Sequence, residues 1–284
     1  MTAALRWDGF DYGGQHGWSP RGGLTRAIGS RWTARATAGV FHQTPAYTML
    51  TQTPAARHLP FERALHYVIG ADYRLSRGAQ ATVEAYVKQY RDLPVPAARG
   101  SWELSAVGRG EVRGFEVFVQ QRLLDRWYGL AAYSGSRSER TDLVHGTFPD
   151  DWDYQHVLTL MAGYRPRRDF EVSARWRYIG GRPFTEFTSR FEVTSQGAVQ
   201  PGTGYWVGFE GPWNSGRLPA YHRLDLRADH RRQLGRYQFV VFVDLENVYD
   251  RDNILLQRYS HENRDPEAVY QWQLLPVVGL TLEF

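Results

Sequence analysis

The sequence predicts an all-β fold: a transmembrane antiparallel up-and-down β-barrel of about twelve strands. Three observations carry this prediction. Segments of about ten residues alternate between apolar and polar side chains, as tilted membrane strands do. The links between these segments alternate between short and long. The chain has a mean hydropathy of -0.51 and lacks any run of about 18 apolar residues, which excludes membrane helices.

Strand signals recur along the whole chain, whereas convincing helix signals do not. β-branched and aromatic residues alternate with polar ones and are interrupted by clusters of Gly, Pro, Asp and Asn. Several segments reach the nine to eleven residues, roughly, that a tilted strand needs to cross a bilayer. That length favours a membrane barrel over a soluble sandwich, whose strands usually have about five or six residues. The predicted strands span 4–11, 22–28, 32–42, 64–75, 79–91, 112–123, 127–138, 155–164, 170–182, 221–231, 237–247 and 268–284.

The links between the predicted strands indicate which end of the barrel is which. Short turns are expected at 29–31, 76–78, 124–126, 165–169 and 233–236, and long links at 43–63, 92–111, 139–154, 183–220 and 248–267. Barrels of bacterial outer membranes have tight periplasmic turns and extended extracellular loops. The alternation therefore predicts that the long links are extracellular and that the C-terminus is periplasmic.

The two faces of each predicted strand differ in polarity. In the segment 221–230, Leu224, Leu226 and Ala228 share one face, which we expect to contact lipid, and charged residues occupy the other. The segment 170–178 shows the same alternation. Opposite charges in a water-filled lumen pair across strands and are mostly structural. The charged residues expected to face the lumen are Asp72, Glu84, Arg175, Arg177, Arg223, Asp225 and Arg227.

Composition narrows the functional classes. The chain has 10 Trp, 17 Tyr and 14 Phe, which suits aromatic girdles at two membrane interfaces. It has no cysteine, which excludes disulfides and thiolate metal sites. The net charge of +4 comes from arginines interspersed with acidic residues, and Lys88 is the one lysine. A nucleic-acid binder would cluster its basic residues, so we expect no nucleic-acid partner.

Four segments resemble one family, and a fifth resembles outer-membrane barrels in general. The chain ends in 278–284 (Val-Gly-Leu-Thr-Leu-Glu-Phe), similar to the terminal strand that the barrel assembly machinery recognises. The segments 218–225 (Leu-Pro-Ala-Tyr-His-Arg-Leu-Asp) and 244–250 (Asp-Leu-Glu-Asn-Val-Tyr-Asp) resemble late-strand motifs of TonB-dependent receptors. The segment 181–185 (Gly-Arg-Pro-Phe-Thr) resembles the opening of a long loop, and 19–24 (Ser-Pro-Arg-Gly-Gly-Leu) a strand start. Their order along the chain identifies it as a member of that family.

The resemblance implies a larger assembly. A receptor of this family has a barrel of about twenty-two strands, within the known range of sizes, so residues 1–284 correspond to the C-terminal portion of that barrel. We find neither a plug domain nor a signal peptide in this sequence. Implied partners are outer-membrane lipid, the barrel assembly machinery, a small-molecule nutrient and, through a plug, the TonB complex. The implied location is the bacterial outer membrane, and the implied assembly signal comprises Val278, Leu280, Leu282 and Phe284.

Candidate ligand contacts lie in or beside the long links. Aromatic rings bury much surface at small entropic cost, although interface girdles need the same residue types. The candidates are Arg182, Tyr205, Trp206, Trp213 and Trp152. The nine histidines form no His-x-x-x-His or His-x-His pair, and no hydrolase elbow occurs. We therefore expect no metal site, no cofactor and no enzymatic activity.

Two functions remain as alternatives to a receptor. A stand-alone barrel of about twelve strands has a permitted even number and would act as a passive channel. A non-transporting adhesin or scaffold could be built on the same barrel. The resemblance favours energy-coupled uptake of a scarce nutrient such as a siderophore, cobalamin, haem or glycan. The loops that would choose among these ligands vary independently of the scaffold.

Overall fold

The computed structural model describes residues 1–193, 204–259 and 266–284. Its first strands are β1 (Thr2–Phe10), β2 (Gln15–Ile28), β3 (Trp32–Gln43), β4 (Glu62–Arg74), β5 (Ala79–Pro96), β6 (Leu104–Leu124), β7 (Trp127–Asp142), β8 (Gly146–Pro149), β9 (His156–Arg167) and β10 (Phe170–Ile179). The remainder are β11 (Pro183–Phe184), β12 (Phe187–Val193), β13 (Gly204–Glu210), β14 (Gly216–Arg217), β15 (Tyr221–Leu234), β16 (Tyr237–Glu246), β17 (Ile254–Tyr259), β18 (Pro266–Tyr270) and β19 (Leu275–Glu283).

Twelve of these strands form one continuous antiparallel wall. The order is β1-β2-β3-β4-β5-β6-β7-β9-β10-β15-β16-β19, and β8 pairs with β7 outside this path, which gives a 13-stranded sheet. Each wall strand follows its neighbour in the chain, as in an up-and-down barrel. The predicted all-β fold and the number of wall strands are confirmed.

The connections differ at the two ends of the wall. The turns at 29–31, 75–78, 125–126, 168–169 and 235–236 lie at one end, which we call the turn end. The links 44–61, 97–103, 143–155, 180–220 and 247–274 lie at the other, the loop end. The turn at 11–14 is short although it also lies at the loop end, so the alternation begins only at β2.

Burial is inverted relative to a soluble protein. Large apolar side chains on one face of the wall are exposed, such as Ile69 at 63% and Val278 at 71%, while Asp225 and Glu171 on the other face are only 4% and 7% exposed. A monomeric soluble protein rarely exposes so large an apolar surface. A buried hydrophobic cluster of Leu50, Ala56 and Leu59 lies in the link 44–61. We call the two faces of the wall the apolar face and the charged face.

Several predicted boundaries were wrong. Strand β2 begins at Gln15 rather than at residue 22, because its Gly-rich and Pro-containing start pairs with β1 in regular register. The predicted strand 268–284 is divided between β18, which pairs with β17 in a loop hairpin, and β19, which completes the wall. The pairs β11–β14 and β12–β13 were not predicted.

Short helices also escaped the sequence analysis. An α-helix spans Tyr47–Leu50 and a 3-10 helix spans Ala55–His58, both in one loop. Each has a single turn, too short to leave a periodic pattern. Within the described residues, no helix combines the length and hydropathy needed to cross a membrane.

Candidate ligand site at the loop end

A buried carboxylate organises the charged face near the loop end. Asp225 lies directly across from Arg175, whose Nη2 is 2.9 Å from its Oδ2. Nε of Arg223 is 2.7 Å from Oδ1 of the same carboxylate, and Nη2 of Arg177 is 3.9 Å from Oδ2. The backbone N–H of Asn247 also donates to Oδ1, at 3.1 Å. One buried negative charge therefore faces three arginines. Glu246, whose Oε2 is 2.9 Å from Nη1 of Arg223, supplies a second carboxylate, so the three arginines keep an excess of one positive charge.

A second set of ion pairs extends this network toward the turn end. Glu171 accepts hydrogen bonds from the hydroxyl of Tyr128 at 2.6 Å, from Nε of Arg165 at 2.9 Å and from Nη1 of Arg231 at 3.1 Å. Nη2 of Arg227 lies 2.8 Å from Oδ1 of Asp229. The contacts of Glu171 join β7, β9, β10 and β15 through charge-assisted hydrogen bonds, whereas Arg227 and Asp229 lie on the same strand. The Glu171 contacts therefore stabilise the wall.

Two further predicted lumen residues, Asp72 of β4 and Glu84 of β5, share Arg35 of β3 as their partner. Nη2 of Arg35 is 2.9 Å from Oε1 of Glu84, and Nη1 of the same arginine pairs with Asp72. The hydroxyl of Thr82 donates to Oδ1 of Asp72 at 2.7 Å. The structure thus places all seven predicted lumen residues on the charged face and gives each an ionic partner, on the same strand, on a neighbouring strand or, for Glu84, two strands away.

A cavity of about 480 Å³ opens at the loop end, next to this excess of positive charge. That volume lies within the range of small-molecule sites, about 300 to 1,000 Å³. Among the described residues, three arginines and no carboxylate line it. The buried Nε of Arg177 has no hydrogen-bond partner in the described part of the chain. The lining comprises Trp152, Tyr154, Arg177, Ile179, Gly180, Arg182, Leu218, Pro219, Tyr221, Arg223, Ile254, Leu255 and Gln271.

Two glycines position Arg182 at this cavity. A Cβ on Gly180 would lie 2.0 Å from the carbonyl oxygen of Tyr154, and a Cβ on Gly181 would lie 1.8 Å from that of Leu218. The N–H of Gly180 donates to the carbonyl of His156 at 2.7 Å, and the N–H of Leu218 donates to that of Arg182 at 3.0 Å. Only glycine permits such close backbone approach, so these residues bring three loop segments together.

Polar side chains fasten two of the loops to each other. Arg217 pairs with the buried carboxylate of Asp153, and its Nη1 donates to the carbonyl oxygen of Gly181 at 3.0 Å. Nδ2 of Asn214 donates to the carbonyl of Pro149 at 2.9 Å and to Oδ1 of Asp151 at 2.7 Å. Buried polar groups that are fully hydrogen-bonded specify one arrangement. The links 143–155 and 180–220 therefore form one connected structure beside the cavity.

The structure separates the predicted ligand contacts. Arg182 and Trp152 both line the cavity. Trp213 instead lies 4.6 Å, ring centroid to ring centroid, from His145. Tyr205 and Trp206 belong to β13, and their side chains are outside the described part of the structure. Sequence position alone could not distinguish these aromatics, because all of them occur in long links.

A hydrogen bond to Asp142 holds the ring of His145 beside Trp213. Nδ1 of His145 lies 2.8 Å from Oδ2 of Asp142, at the tip of the loop hairpin formed by β7 and β8. Burial raises the pKa of Asp142, but hydrogen bonds from the ring and backbone N–H of His145 and from the N–H of Val144 outweigh it and leave the pKa below its usual value. This cluster is a second aromatic surface, distinct from the cavity.

Several cavity residues were missed by the sequence analysis. Tyr154, Leu218, Pro219, Ile254 and Leu255 come from three different links. One signal was available for the third link, since its Asn247 is in the family-like segment 244–250. Asn247 has a φ of 56° and is buried, and its Nδ2 donates to the carbonyl of Arg251 at 2.9 Å. An Asn that tolerates the left-handed region and binds backbone marks a specified turn.

The predicted assembly residues share one side of the last strand. Val278, Leu280 and Leu282 pair with Val243, Val241 and Phe239 of β16. All three lie on the apolar face, and Phe284 follows β19 at the turn end with almost complete exposure.

The sequence matches the model of the family described as TonB dependent receptor-like, beta-barrel, over residues 1–248. The chain belongs to the TonB-dependent receptor β-barrel family. The resemblance to TonB-dependent receptors inferred from the sequence is thereby confirmed. No curated protein matches the chain in sequence. TonB-dependent receptors are bacterial outer-membrane receptors and transporters rather than enzymes.

Solved TonB-dependent receptors share the fold of this chain. The ferric enterobactin receptor PfeA, in complex with BCV-L6, matches with a TM-score of 0.69 at 14% identity, over 98% of this chain and 42% of that chain. The ferric citrate transporter FecA matches with a TM-score of 0.67 at 14% identity, over 95% of this chain and 38% of that chain. The ferripyoverdine receptor of the outer membrane of Pseudomonas aeruginosa matches with a TM-score of 0.62 at 13% identity, over 93% of this chain and 32% of that chain. At such identities the likeness concerns the fold alone. The chain spans less than half the length of each.

Proposed function

We propose that the full protein takes up an anionic nutrient chelate, such as a ferric siderophore, across the outer membrane. The observation that carries this proposal is the cavity of about 480 Å³ lined by three arginines and, among described residues, no carboxylate. Arginine binds carboxylates and other oxyanions in bidentate fashion, and Trp152 and Tyr154 offer flat surfaces for a chelate. Of the ligand classes considered (siderophores, cobalamin, haem and glycans), those that carry negative charge suit this arginine-rich lining best.

The proposal assigns different jobs to the two ends of the wall. The ligand would enter at the loop end and bind between the links, and import would be driven by the TonB complex through a plug, as family membership implies. Residues 1–284 would form the C-terminal portion of a wider barrel in the bacterial outer membrane. In the described part of the chain, β1 and β19 each pair with a single wall strand, which is consistent with neighbours supplied by further strands.

A passive channel of about twelve strands is the second candidate. It would require β1 and β19 to close the wall, because unpaired strand edges in lipid cost several kcal/mol per group, by order of magnitude. The sheet order ends at these two strands without pairing them. The open edges therefore favour the receptor, and we expect the isolated chain not to transport.

Uptake by the full-length gene product tests the proposal. We would express it in an iron-starved host that lacks its own receptors and measure uptake of radiolabelled ferric catecholate, citrate and hydroxamate chelates. The Arg177→Ala/Arg182→Ala variant should bind its anionic chelate at least about tenfold more weakly, since two charge-assisted contacts are lost. Arg31→Ala/Arg236→Ala, which removes two charges at the turn end, is the matched control.

Two outcomes would contradict the proposal. Equal affinity of the cavity variant and the control variant would mean that the arginines of the cavity do not bind the ligand. Uptake that persists after deletion of the host's TonB gene would indicate a passive channel instead.

A further inference from the structure

The apolar face changes character at one level on four neighbouring strands. On β6 the residues of this face run from Val119 and Phe115, both exposed, to Arg113 and Arg109. On β4 they run from Ile69 through Leu65 to Arg63. A period of two keeps all these side chains on one face. The charged residues so placed at the loop end are Arg63, Arg91, Arg109, Glu111, Arg113, Arg137 and Glu139.

The strand register sets like charges opposite each other in this patch. Arg113 is the cross-strand partner of Arg137, and Arg63 is the partner of Arg91. Directly opposed like charges destabilise a sheet pair. One opposed pair lies on β6 and β7 and the other on β4 and β5, so any arginine here that lacks a carboxylate partner would be stabilised by an external anion.

The carboxylates within the patch satisfy only some of the arginines. Nη2 of Arg137 lies 2.7 Å from Oε1 of Glu139, and Nε of Arg113 lies 3.7 Å from Oε1 of Glu111. Arg63 is 3.6 Å from Asp92 through its Nε.

Two arginines of the patch are left over. Arg91 and Arg109 have no ion pair with any residue that the structure describes. They therefore offer two guanidinium groups to an external anion.

These two arginines border a hollow of about 290 Å³ on the same face. Gln89, Thr141 and Thr147 line it as well, and the hydroxyl oxygens of the two threonines are 2.9 Å apart. Glu111 and Glu139 also reach the hollow, but each already has an arginine partner. Guanidinium and hydroxyl donors that converge on one hollow match the acceptor oxygens of a phosphate group.

We propose that this patch binds a phosphorylated lipid headgroup of the leaflet at the loop end. The hollow lies where the apolar face ends, and a phosphate attached to acyl chains would place its charge there while the chains cover the apolar residues below. A lipid phosphate would thus neutralise Arg91 and Arg109 from outside the wall. The site faces away from the ligand cavity, which lies on the charged face, and the proposal does not depend on nutrient uptake.

Lipid binding to the full-length gene product in detergent tests this proposal by native mass spectrometry. The probes are lipid A with two phosphates, dephosphorylated lipid A and inorganic phosphate. Arg91→Gln/Arg109→Gln should raise the dissociation constant of lipid A by at least about tenfold, because two charge-assisted contacts disappear. Arg77→Gln/Arg122→Gln removes two charges at the turn end and should leave it unchanged. Heat-shifted electrophoretic mobility verifies that each variant is folded.

The probes separate the possible sources of phosphate. We expect dephosphorylated lipid A to bind weakly to every variant and inorganic phosphate to bind far more weakly than lipid A. Retention of lipid A by the Arg91/Arg109 variant at the level of the control would overturn the proposal. Inorganic phosphate binding as tightly as lipid A would overturn the lipid as the source.

Discussion

Arg175 and Asp225 face each other across β10 and β15, with Nη2 of the arginine 2.9 Å from Oδ2 of the carboxylate. The same carboxylate accepts the backbone N–H of Asn247, at 3.1 Å. A single buried side chain thus joins two wall strands to the turn that begins the last loop. The charged face is connected in this way to the cavity above it.

The first prediction concerns this carboxylate. Asp225→Asn removes the charge that Arg175, Arg177 and Arg223 share, and should lower the free energy of unfolding by about 1 to 3 kcal/mol, the cost of leaving buried partners unsatisfied. Urea unfolding in lipid vesicles measures the change. Asp8→Asn is the control, because its pair with Arg6 is exposed and such pairs contribute at most about 1 kcal/mol. Similar losses in both variants would refute the shared role of Asp225.

The second prediction concerns the junction at Gly181. Gly181→Ala should destabilise the protein by about 1 to 3 kcal/mol through overpacking, because its Cβ would lie 1.8 Å from the carbonyl oxygen of Leu218. It should also weaken ligand binding, since Arg182 is next to it. Gly22→Ala is the matched control, as no atom lies within 4 Å of its added Cβ. Unfolding midpoints and ligand titrations would be compared, and a Gly181→Ala variant as stable as the control would contradict the close approach.

The wall could be predicted from the sequence because its signals are local. Alternation along each strand and the short turns identified all twelve wall strands, and the register agrees with the expected faces at Leu226 and Arg227. The start of β2 was missed because its glycines and Pro20 suggest a loop. The pairing with β1 outweighs that local tendency.

The cavity could be predicted only in part, because it depends on contacts between distant residues. Arg182 and Trp152 are 30 positions apart in the numbering, yet both line the cavity. They do so because Arg217 pairs with Asp153 and because the backbone at Gly181 lies close to Leu218. Trp213 is also a tryptophan in a long link, yet its ring contacts that of His145 instead. No local pattern distinguishes these outcomes.

The third prediction concerns assembly. Deleting Phe284, or replacing it with Asp, should block insertion of the full-length protein into the outer membrane, because the terminal strand must be recognised and then complete the wall. Immunoblots of outer-membrane fractions measure the amount inserted. Glu283→Gln alters the neighbouring residue, whose Oε2 accepts a hydrogen bond from Nε2 of Gln238 at 2.6 Å, and should insert normally. Normal levels of the deletion variant would refute the role of Phe284.

The most direct test of the central claim compares the two faces of one strand. Ala36 and Thr37 are adjacent and exposed on β3; Ala36 pairs with Ile69 on the apolar face, and Thr37 lies on the face of Arg35. If the apolar face contacts lipid, Ala36→Arg should cost about 2 to 4 kcal/mol, whereas an arginine at Thr37 stays hydrated. The measurement is the folded fraction of each full-length variant in lipid vesicles, from heat-shifted electrophoretic mobility. We predict a clear loss of folded protein for Ala36→Arg and a normal folded fraction for Thr37→Arg. Equal fractions, or a lower one for Thr37→Arg, would contradict lipid contact at the apolar face.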